Sequence, residues 1–170
     1  MINLKHIEDS VPGPRYEHIR IDDLVISRSI FSRGQWQIME FPEDVAFCDL
    51  GSRHIQTFGT FEDESGVLPA RLPGWTSESD YFVVPAGRYK RVARDTVEVW
   101  CCRSKDGDAS RAHCIDAQAG LMTLPKGTNL LIVSGLASAA GRQFGATKHI
   151  NVASESAVIS VDAPMRAFIW

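Results

Sequence analysis

Two stretches of this sequence share one pattern, FVVPAG at residues 82–87 and MTLPKG at residues 122–127. In each, an apolar run that is typical of a β-strand is followed by Pro-x-Gly. Proline removes a backbone donor and ends strand pairing, and glycine permits the sharp reversal that leads into another strand. A repeated unit of strand and corner is what two related halves of a jelly roll require, although Pro-x-Gly is also common in loops.

Short apolar runs bounded by Gly, Pro, Asp and Ser recur along the rest of the chain, and few windows sustain the 3.6-residue period of a helix. The alternation at residues 96–102 predicts a strand with one buried face. The predicted strands are Ile19–Ile26, Gln35–Phe41, His54–Phe61, Tyr81–Val84, Thr96–Cys102, Ala112–Asp116, Leu121–Leu124, Asn129–Val133, His149–Val152, Ala157–Val161 and Arg166–Trp170. Short strands at this spacing favour a sandwich or barrel. We therefore expect an all-β chain that forms a single domain over residues 1–170.

Three segments interrupt the strand pattern. Residues 1–18 are predicted to form an N-terminal arm, which the prolines of Val11-Pro12-Gly13-Pro14 close. Residues 68–80 carry two prolines and a glycine around Trp75, and they predict a long loop that covers a pocket or an edge. Residues 136–145 are rich in Ala, Ser and Gly, and they predict either a mobile loop or one short helix.

Composition restricts the class of protein. The chain has 170 residues, of which 44% are hydrophobic and 23% are charged, as in an ordinary globular protein. No run is long and apolar enough to span a bilayer, and residues 1–9 lack the apolar run of a signal peptide. We therefore expect a cytoplasmic protein that does not bind membranes. The net charge of −3 disfavours nucleic acid as a partner.

The four cysteines, at positions 48, 101, 102 and 114, show no C-x-x-C spacing, and we expect them to be reduced. Cys101 and Cys102 are adjacent in a predicted strand, so their side chains should point to opposite faces of a sheet. We expect one of them to pack in the core and the other to be a surface thiol.

Residues 81–133 resemble the cupin superfamily, whose jelly-roll barrel carries two motifs. The first runs Gly, five residues, His-x-His, three or four residues, Glu, six residues, Gly, and the second runs Gly, five residues, Pro-x-Gly, two residues, His, three residues, Asn. The matching positions, at spacings that differ by one or two residues, are Gly87, Glu98 and Gly107 for the first motif and Gly120, Pro125 and Gly127 for the second. The resemblance implies a cupin-like jelly-roll barrel or sandwich.

The metal ligands of the cupin motifs are absent from this sequence. The two histidines of the first motif fall at Ala93 and Asp95, the histidine of the second falls at Leu130, and the asparagine falls at Ser134. Alanine and leucine have no donor atom that could hold a metal ion. We therefore predict no metal site and no cofactor, and a metal-free, cupin-like binding or interaction module whose ligand the sequence does not name.

Candidate ligand-binding residues lie in the basic segment Gly87–Arg94 and in the 68–80 loop. As a strand, the segment would place Arg88, Lys90 and Arg94 on one face, where their side chains suit a small anionic ligand, and Tyr89 and Arg91 on the other. The simpler interpretation is a solvated, charge-balanced strand face. Trp75 in the loop would gate a pocket or anchor a protein partner, and the apolar terminus Phe168–Trp170 would be either a paired strand or part of a homo-oligomer interface.

Two other functions stay open, although the binding module is preferred. One is a divergent cupin enzyme, an isomerase or a metal-dependent enzyme with relocated ligands. Its catalytic candidates are His54, Glu98 and His113, with Asp95 as a further ligand, because imidazole and carboxylate groups serve both acid–base chemistry and metal binding. The other is a structural or host-interaction protein of a virus or mobile element.

Overall fold

A computed structural model describes residues 15–46, 52–78, 82–104, 111–153 and 155–170. Every regular element in these ranges is a β-strand, which confirms the all-β prediction. None of the residues described belongs to a helix long and apolar enough to cross a bilayer.

In the described ranges, fifteen strands make up four open sheets. Nine of them precede residue 105: β1 (Arg15–Ile21), β2 (Leu24–Phe31), β3 (Trp36–Phe41), β4 (Val45–Ala46), β5 (Arg53–Phe58), β6 (Phe61–Asp63), β7 (Val83–Val84), β8 (Gly87–Ala93) and β9 (Val97–Ser104). Six follow residue 110: β10 (His113–Ala117), β11 (Gly120–Leu124), β12 (Asn129–Ala139), β13 (Arg142–Phe144), β14 (His149–Asn151) and β15 (Ala157–Ile169). Both Pro-x-Gly motifs connect two strands, as predicted, with Gly87 already the first residue of β8.

The chain divides into two compact units, residues 1–109 and 110–170. The single domain expected over the whole chain stays a prediction. The first unit holds three sheets with strand orders β1-β2-β9-β5, β3-β8-β6 and β4-β7. Phe31, Val97 and Val99 of the four-stranded sheet pack with Phe61 and Ala93 of the three-stranded sheet, so these two sheets lie face to face.

Strand β9 is buried on both faces, which corrects the prediction of one buried face. It pairs with β2 on one side and with β5 on the other, and both Val97 and Trp100, from opposite faces, are buried. Polar groups on β9 must therefore find partners inside the protein. Cys102 is also buried and Cys101 is half-buried, so the expected surface thiol is partly covered.

The second unit is built on one sheet in which β12 and β15 are the central strands. Strand β12 pairs with β13, β14 and β15, and β15 also pairs with β10 and β11. All residues of Asn129–Val133 are buried, as expected of a continuous apolar run in a central strand. Phe168 is fully buried and pairs with Leu131, so the apolar terminus belongs to a paired strand of the core.

Several boundary predictions are wrong. The predicted strand His54–Phe61 covers β5 and the start of β6, and the predicted strands Ala157–Val161 and Arg166–Trp170 fall on one strand, β15. The predicted strand Ile19–Ile26 is two strands, β1 and β2, joined by a turn at Asp22, whose φ is +54°. The predicted arm of residues 1–18 includes the start of β1, since Arg15–His18 pair with β2, and residues 1–14 lie outside the described ranges. Residues 136–145 are neither a loop nor a helix, because β12 continues to Ala139 and turns into β13.

Candidate functional site

The basic segment forms strand β8 with the predicted alternation. Arg88 and Lys90 point outward, whereas Tyr89 and Arg91 are buried; Arg94 lies one residue beyond the strand. Each of the three outward cations has a glutamate partner: Arg88 Nε with Glu40 Oε1 at 3.4 Å, Lys90 Nζ with Glu64 Oε1 at 3.4 Å, and Arg94 Nε with Glu62 Oε2 at 2.5 Å. This face is therefore charge-balanced, and its role in ligand binding stays a prediction.

The 68–78 loop, the described part of the predicted loop, runs along strands β5 and β6. Arg71 exchanges backbone hydrogen bonds with Phe61, at 2.9 and 3.0 Å. Farther along, the backbone N–H of Gln56 donates to the carbonyl of Trp75 at 2.8 Å, and that of Ser77 donates to the carbonyl of His54 at 3.0 Å. These bonds hold the loop against the sheets, and the side chains of Leu68, Arg71 and Thr76 are buried, whereas that of Leu72 is exposed.

Arg71 is a buried cation without a counter-ion in the part of the chain that the structure describes. Its guanidinium carbon lies 5.2 Å from the centre of the Phe61 ring and 4.9 Å from that of the Trp75 ring. One terminal nitrogen donates to Gln37 Oε1 at 3.1 Å, but the buried Nε has no hydrogen-bond partner among the described residues. The Trp75 ring therefore packs against the buried guanidinium group of Arg71.

Gln56 lies beside Arg71, and hydrogen bonds fix the orientation of its amide. The side-chain Nε2 donates to the carbonyls of Gly59 and Arg71, both at 2.8 Å. A flipped amide would put an acceptor against two acceptors, so Nε2 must occupy this position. The amide oxygen Oε1 is buried and accepts no hydrogen bond from the described residues. Gln56 thus leaves an acceptor open in the interior.

Two further residues lie next to each other on neighbouring strands, Arg91 on β8 and Asp63 on β6. Arg91 donates from a terminal nitrogen to the carbonyl of Pro69 at 3.0 Å. Asp63 Oδ2 accepts hydrogen bonds at 2.9 Å from the backbone N–H groups of Val67 and Leu68, while Oδ1 is buried and accepts none from the described residues. We call Gln37, Gln56, Asp63, Arg71 and Arg91 the interior polar cluster.

The interior polar cluster is electropositive. Burial lowers the pKa of Arg91 to about 10, although the charge of Asp63 opposes this shift. Burial, followed by the charge of Arg91, holds the pKa of Arg71 well below its ordinary value. Burial would raise the pKa of Asp63, but hydrogen bonds from Leu68, Ser65 and Val67 bring it below its usual value. At neutral pH the cluster therefore holds two guanidinium groups and one carboxylate.

His54 is kept neutral next to this cluster. Burial, then the charges of Arg71 and Arg53, lower its pKa to about 3. An unfolded chain takes up a proton at this histidine below about pH 6.5, whereas the folded chain does not. The free energy of unfolding therefore falls as the pH drops from about 6.5 towards 3.

We expect His54 to remove about 2 kcal/mol of stability between pH 7 and pH 5, since each pH unit below 6.5 costs about 1.4 kcal/mol. Urea denaturation at both pH values, on the wild type and on His54→Asn, measures this. The variant should lose less stability on acidification, by about that amount. Equal pH dependence in the two proteins would show that His54 titrates normally in the fold.

Glu98, a catalytic candidate, lies in a second polar group on the other face of the sheet. Arg28 contacts Oε2 through Nε at 2.6 Å and through a terminal nitrogen at 2.5 Å. The hydroxyl of Thr57 and the indole N–H of Trp100 donate to Oε1, at 2.6 and 2.9 Å. Both carboxylate oxygens are therefore engaged by groups of the protein.

The structure does not bring two of the catalytic candidates, His54 and Glu98, together. His54 pairs with Cys101 and Glu98 pairs with Phe58, positions that face opposite sides of the sheet. His113 is exposed on β10, in the second unit. Asp95 is exposed and caps the N–H of Thr60 at 2.7 Å. Among the residues described, no three His, Cys, Asp or Glu side chains gather as a metal site.

No family model matches the sequence, and no curated protein matches it. Solved structures resemble it weakly. A cupin 2 conserved barrel domain protein from Leptotrichia buccalis is 12% identical, with a TM-score of 0.41 over 96% of this chain and 90% of that one. A conserved protein of unknown function from Pseudomonas aeruginosa is 9% identical, with a TM-score of 0.49 over 92% and 88%. HutD from Pseudomonas fluorescens is 13% identical, with a TM-score of 0.43 over 99% and 98%.

These neighbours include a protein of the superfamily that the sequence resembles. At such identities and TM-scores the likeness transfers no residue role and no ligand.

Sequence reasoning missed four residues of this cluster, namely Gln37, Gln56, Asp63 and Arg71, and it assigned Arg91 to the face away from the ligand. The alternation of β8 did place Arg91 beside Tyr89 on the inner face, which was a signal for a buried cation. Arg71 stands four residues before Trp75 in the loop, with no periodic pattern around it. Its burial follows from the pairing of the loop with β6, which is a long-range contact.

Proposed function

We propose that this protein is a binding module for a small anionic molecule, which it holds at the interior polar cluster without a metal ion. Arg71 carries the proposal. It is only 5% exposed, its Nε has no hydrogen-bond partner in the described part of the chain, and no described carboxylate pairs with it. The absence of metal rests on the sequence, because the cupin histidine positions hold Ala93, Asp95 and Leu130.

Energetics favour an anion at this place. The effective penalty for burying an ion without a counter-ion is several kcal/mol. Aromatic contacts such as those with Phe61 and Trp75 return about 2 kcal/mol when desolvated. Asp63 offsets one of the two guanidinium charges, so a bound monoanion neutralises the charge that remains. A guanidinium matches the geometry of a carboxylate or a phosphate in particular.

The sequence predicted a ligand on the outward face of β8, whereas the interior polar cluster lies on its inward face. Arg88, Lys90 and Arg94 each have a glutamate partner, whereas Trp75 stays in the site through its contact with Arg71. Cytoplasmic location, homo-oligomer formation, a protein partner and the enzymatic alternative all stay predictions.

Thermal unfolding in different sodium salts tests the proposal. We expect acetate or phosphate to raise the Tm of the wild type above its value in chloride at equal ionic strength, because a ligand that binds only the folded state stabilises it. Arg71→Met removes the charge and keeps an apolar chain of similar length, so this rise should disappear. Arg88→Met, which removes an exposed cation of β8, should show the same rise in Tm as the wild type.

The variant should fold, since it removes a buried charge that no described carboxylate compensates, and burying such a charge costs several kcal/mol. Calorimetric titration of the wild type with acetate and phosphate provides a second measurement that needs no variant. No binding of either anion to the wild type, or an unchanged anion effect in Arg71→Met, would refute the proposal.

A further inference from the structure

The interior of the first unit leaves both a donor and acceptors open. Arg71 Nε is the donor, and Gln56 Oε1 and Asp63 Oδ1 are acceptors. All three atoms are buried and have no hydrogen-bond partner among the described residues. Buried polar atoms in native proteins nearly always have partners, so one molecule that complements these atoms would have to both accept and donate hydrogen bonds.

Gln56 is the more informative of the two acceptors. Its Nε2 is held by two carbonyls, one of them that of Arg71 itself, so Oε1 cannot be turned away to another partner. The amide is neutral and needs a hydroxyl or N–H donor, whereas Asp63 already faces the charge of Arg91. A simple carboxylate such as acetate would satisfy the arginine and leave Gln56 Oε1 unpaired.

We propose that the ligand is a small hydroxycarboxylate, whose carboxylate binds Arg71 and whose hydroxyl donates to Gln56 Oε1. This inference rests on the proposed function, since it assigns a chemical class to the anion of the same site. A site built to hydrogen-bond a hydroxyl discriminates strongly against the analogue that lacks it, because the open polar atom then stays unpaired.

Matched pairs of ligands test this on the wild-type protein. Calorimetric or NMR titration compares glycolate with acetate and 3-hydroxypropionate with propionate, two pairs that differ only in the hydroxyl and place it at two distances from the carboxylate. We expect the hydroxylated member of at least one pair to bind about tenfold tighter or more. In Gln56→Met the ratio of the two affinities should fall to about one, and in Arg88→Met, a control on the exposed face of β8, it should stay as in the wild type.

The outcomes separate the two proposals. If both members of each pair bind equally well and Arg71→Met abolishes their binding, the anion site stands and the hydroxycarboxylate is wrong. If no carboxylate binds the wild type, the hydroxycarboxylate is wrong; if phosphate does not bind either, the anion site fails as well and the open atoms bind ordered water only. A hydroxyl preference that survives in Gln56→Met would overturn the assignment of Gln56. Should that variant not fold, the matched pairs on the wild type still decide the ligand class.

Discussion

Gly135→Ala is expected to destabilise the second unit by about 3 to 5 kcal/mol, one of the largest effects available in this chain. Gly135 has a φ of +92°, and a Cβ there would lie 2.2 Å from the backbone oxygen of Pro164 on β15. An L-residue in the left-handed region costs roughly 1 to 2 kcal/mol by itself. The remainder comes from moving one central strand away from the other, because a backbone atom cannot rotate aside.

Gly141 provides the matched control for this prediction. It lies in the same unit with a φ of +74°, but a Cβ there would meet nothing within 4 Å. Gly141→Ala should therefore cost only the conformational penalty, about 1 kcal/mol. Urea denaturation of both variants measures the difference through the midpoint concentrations. Equal costs would show that β12 and β15 do not approach closely at Gly135 in solution.

The same contact explains why residues 136–145 were wrongly predicted as a loop or helix. Glycine, alanine and serine usually indicate loops, and here they recur along Gly135–Gly145. In the structure β12 continues through this stretch, and its register with β15 shifts around Ser134 and Leu136. Small residues are required where the two backbones come close, and such irregular pairing leaves no clean alternation in the sequence.

The hairpin of β1 and β2 was missed for a different reason. The sequence IRIDDLVI keeps apolar residues on both sides of Asp22 and Asp23, so the run resembles one strand. Consecutive aspartates are a turn signal, since this side chain tolerates the left-handed conformation that Asp22 adopts. The strands could be predicted from the pattern of apolar residues. The turns between them depend on single residues such as Asp22, and they were harder to predict.

The candidate site was predictable only in part. The composition of β8 predicted its basic character and its two faces, because alternation is a local property of a strand. The position of Arg71 between Phe61 and Trp75 depends on the loop pairing with β6, and no short-range pattern encodes it. The sequence therefore predicted the face of β8 that carries the solvated cations, but it did not predict the burial of Arg71.

Glu98 shows how burial changes the meaning of an ion pair. Both Glu98 and Glu62 pair with an arginine, but the Glu98 side chain is 6% exposed and the Glu62 side chain is 47% exposed. An exposed pair contributes about 0 to 1 kcal/mol, since water solvates both charges well. The partner of Glu98, Arg28, is 30% exposed and also contacts Glu17, so part of its charge stays solvated when Glu98 is neutralised.

Glu98→Gln is accordingly expected to destabilise the first unit by about 2 to 4 kcal/mol, near the lower end of the cost of breaking a buried ion pair. The glutamine oxygen can still accept from Thr57 and Trp100, so the loss reports on the charge facing Arg28. Glu62→Gln should cost less than about 0.5 kcal/mol. Urea denaturation at neutral pH, with the slope of the transition checked for constancy, compares the two variants. If Glu98→Gln costs as little as Glu62→Gln, the Arg28–Glu98 pair contributes no more to the free energy of unfolding than a surface pair does. The Glu98 carboxylate would then not be required for stability, and the catalytic role considered for it would stay open.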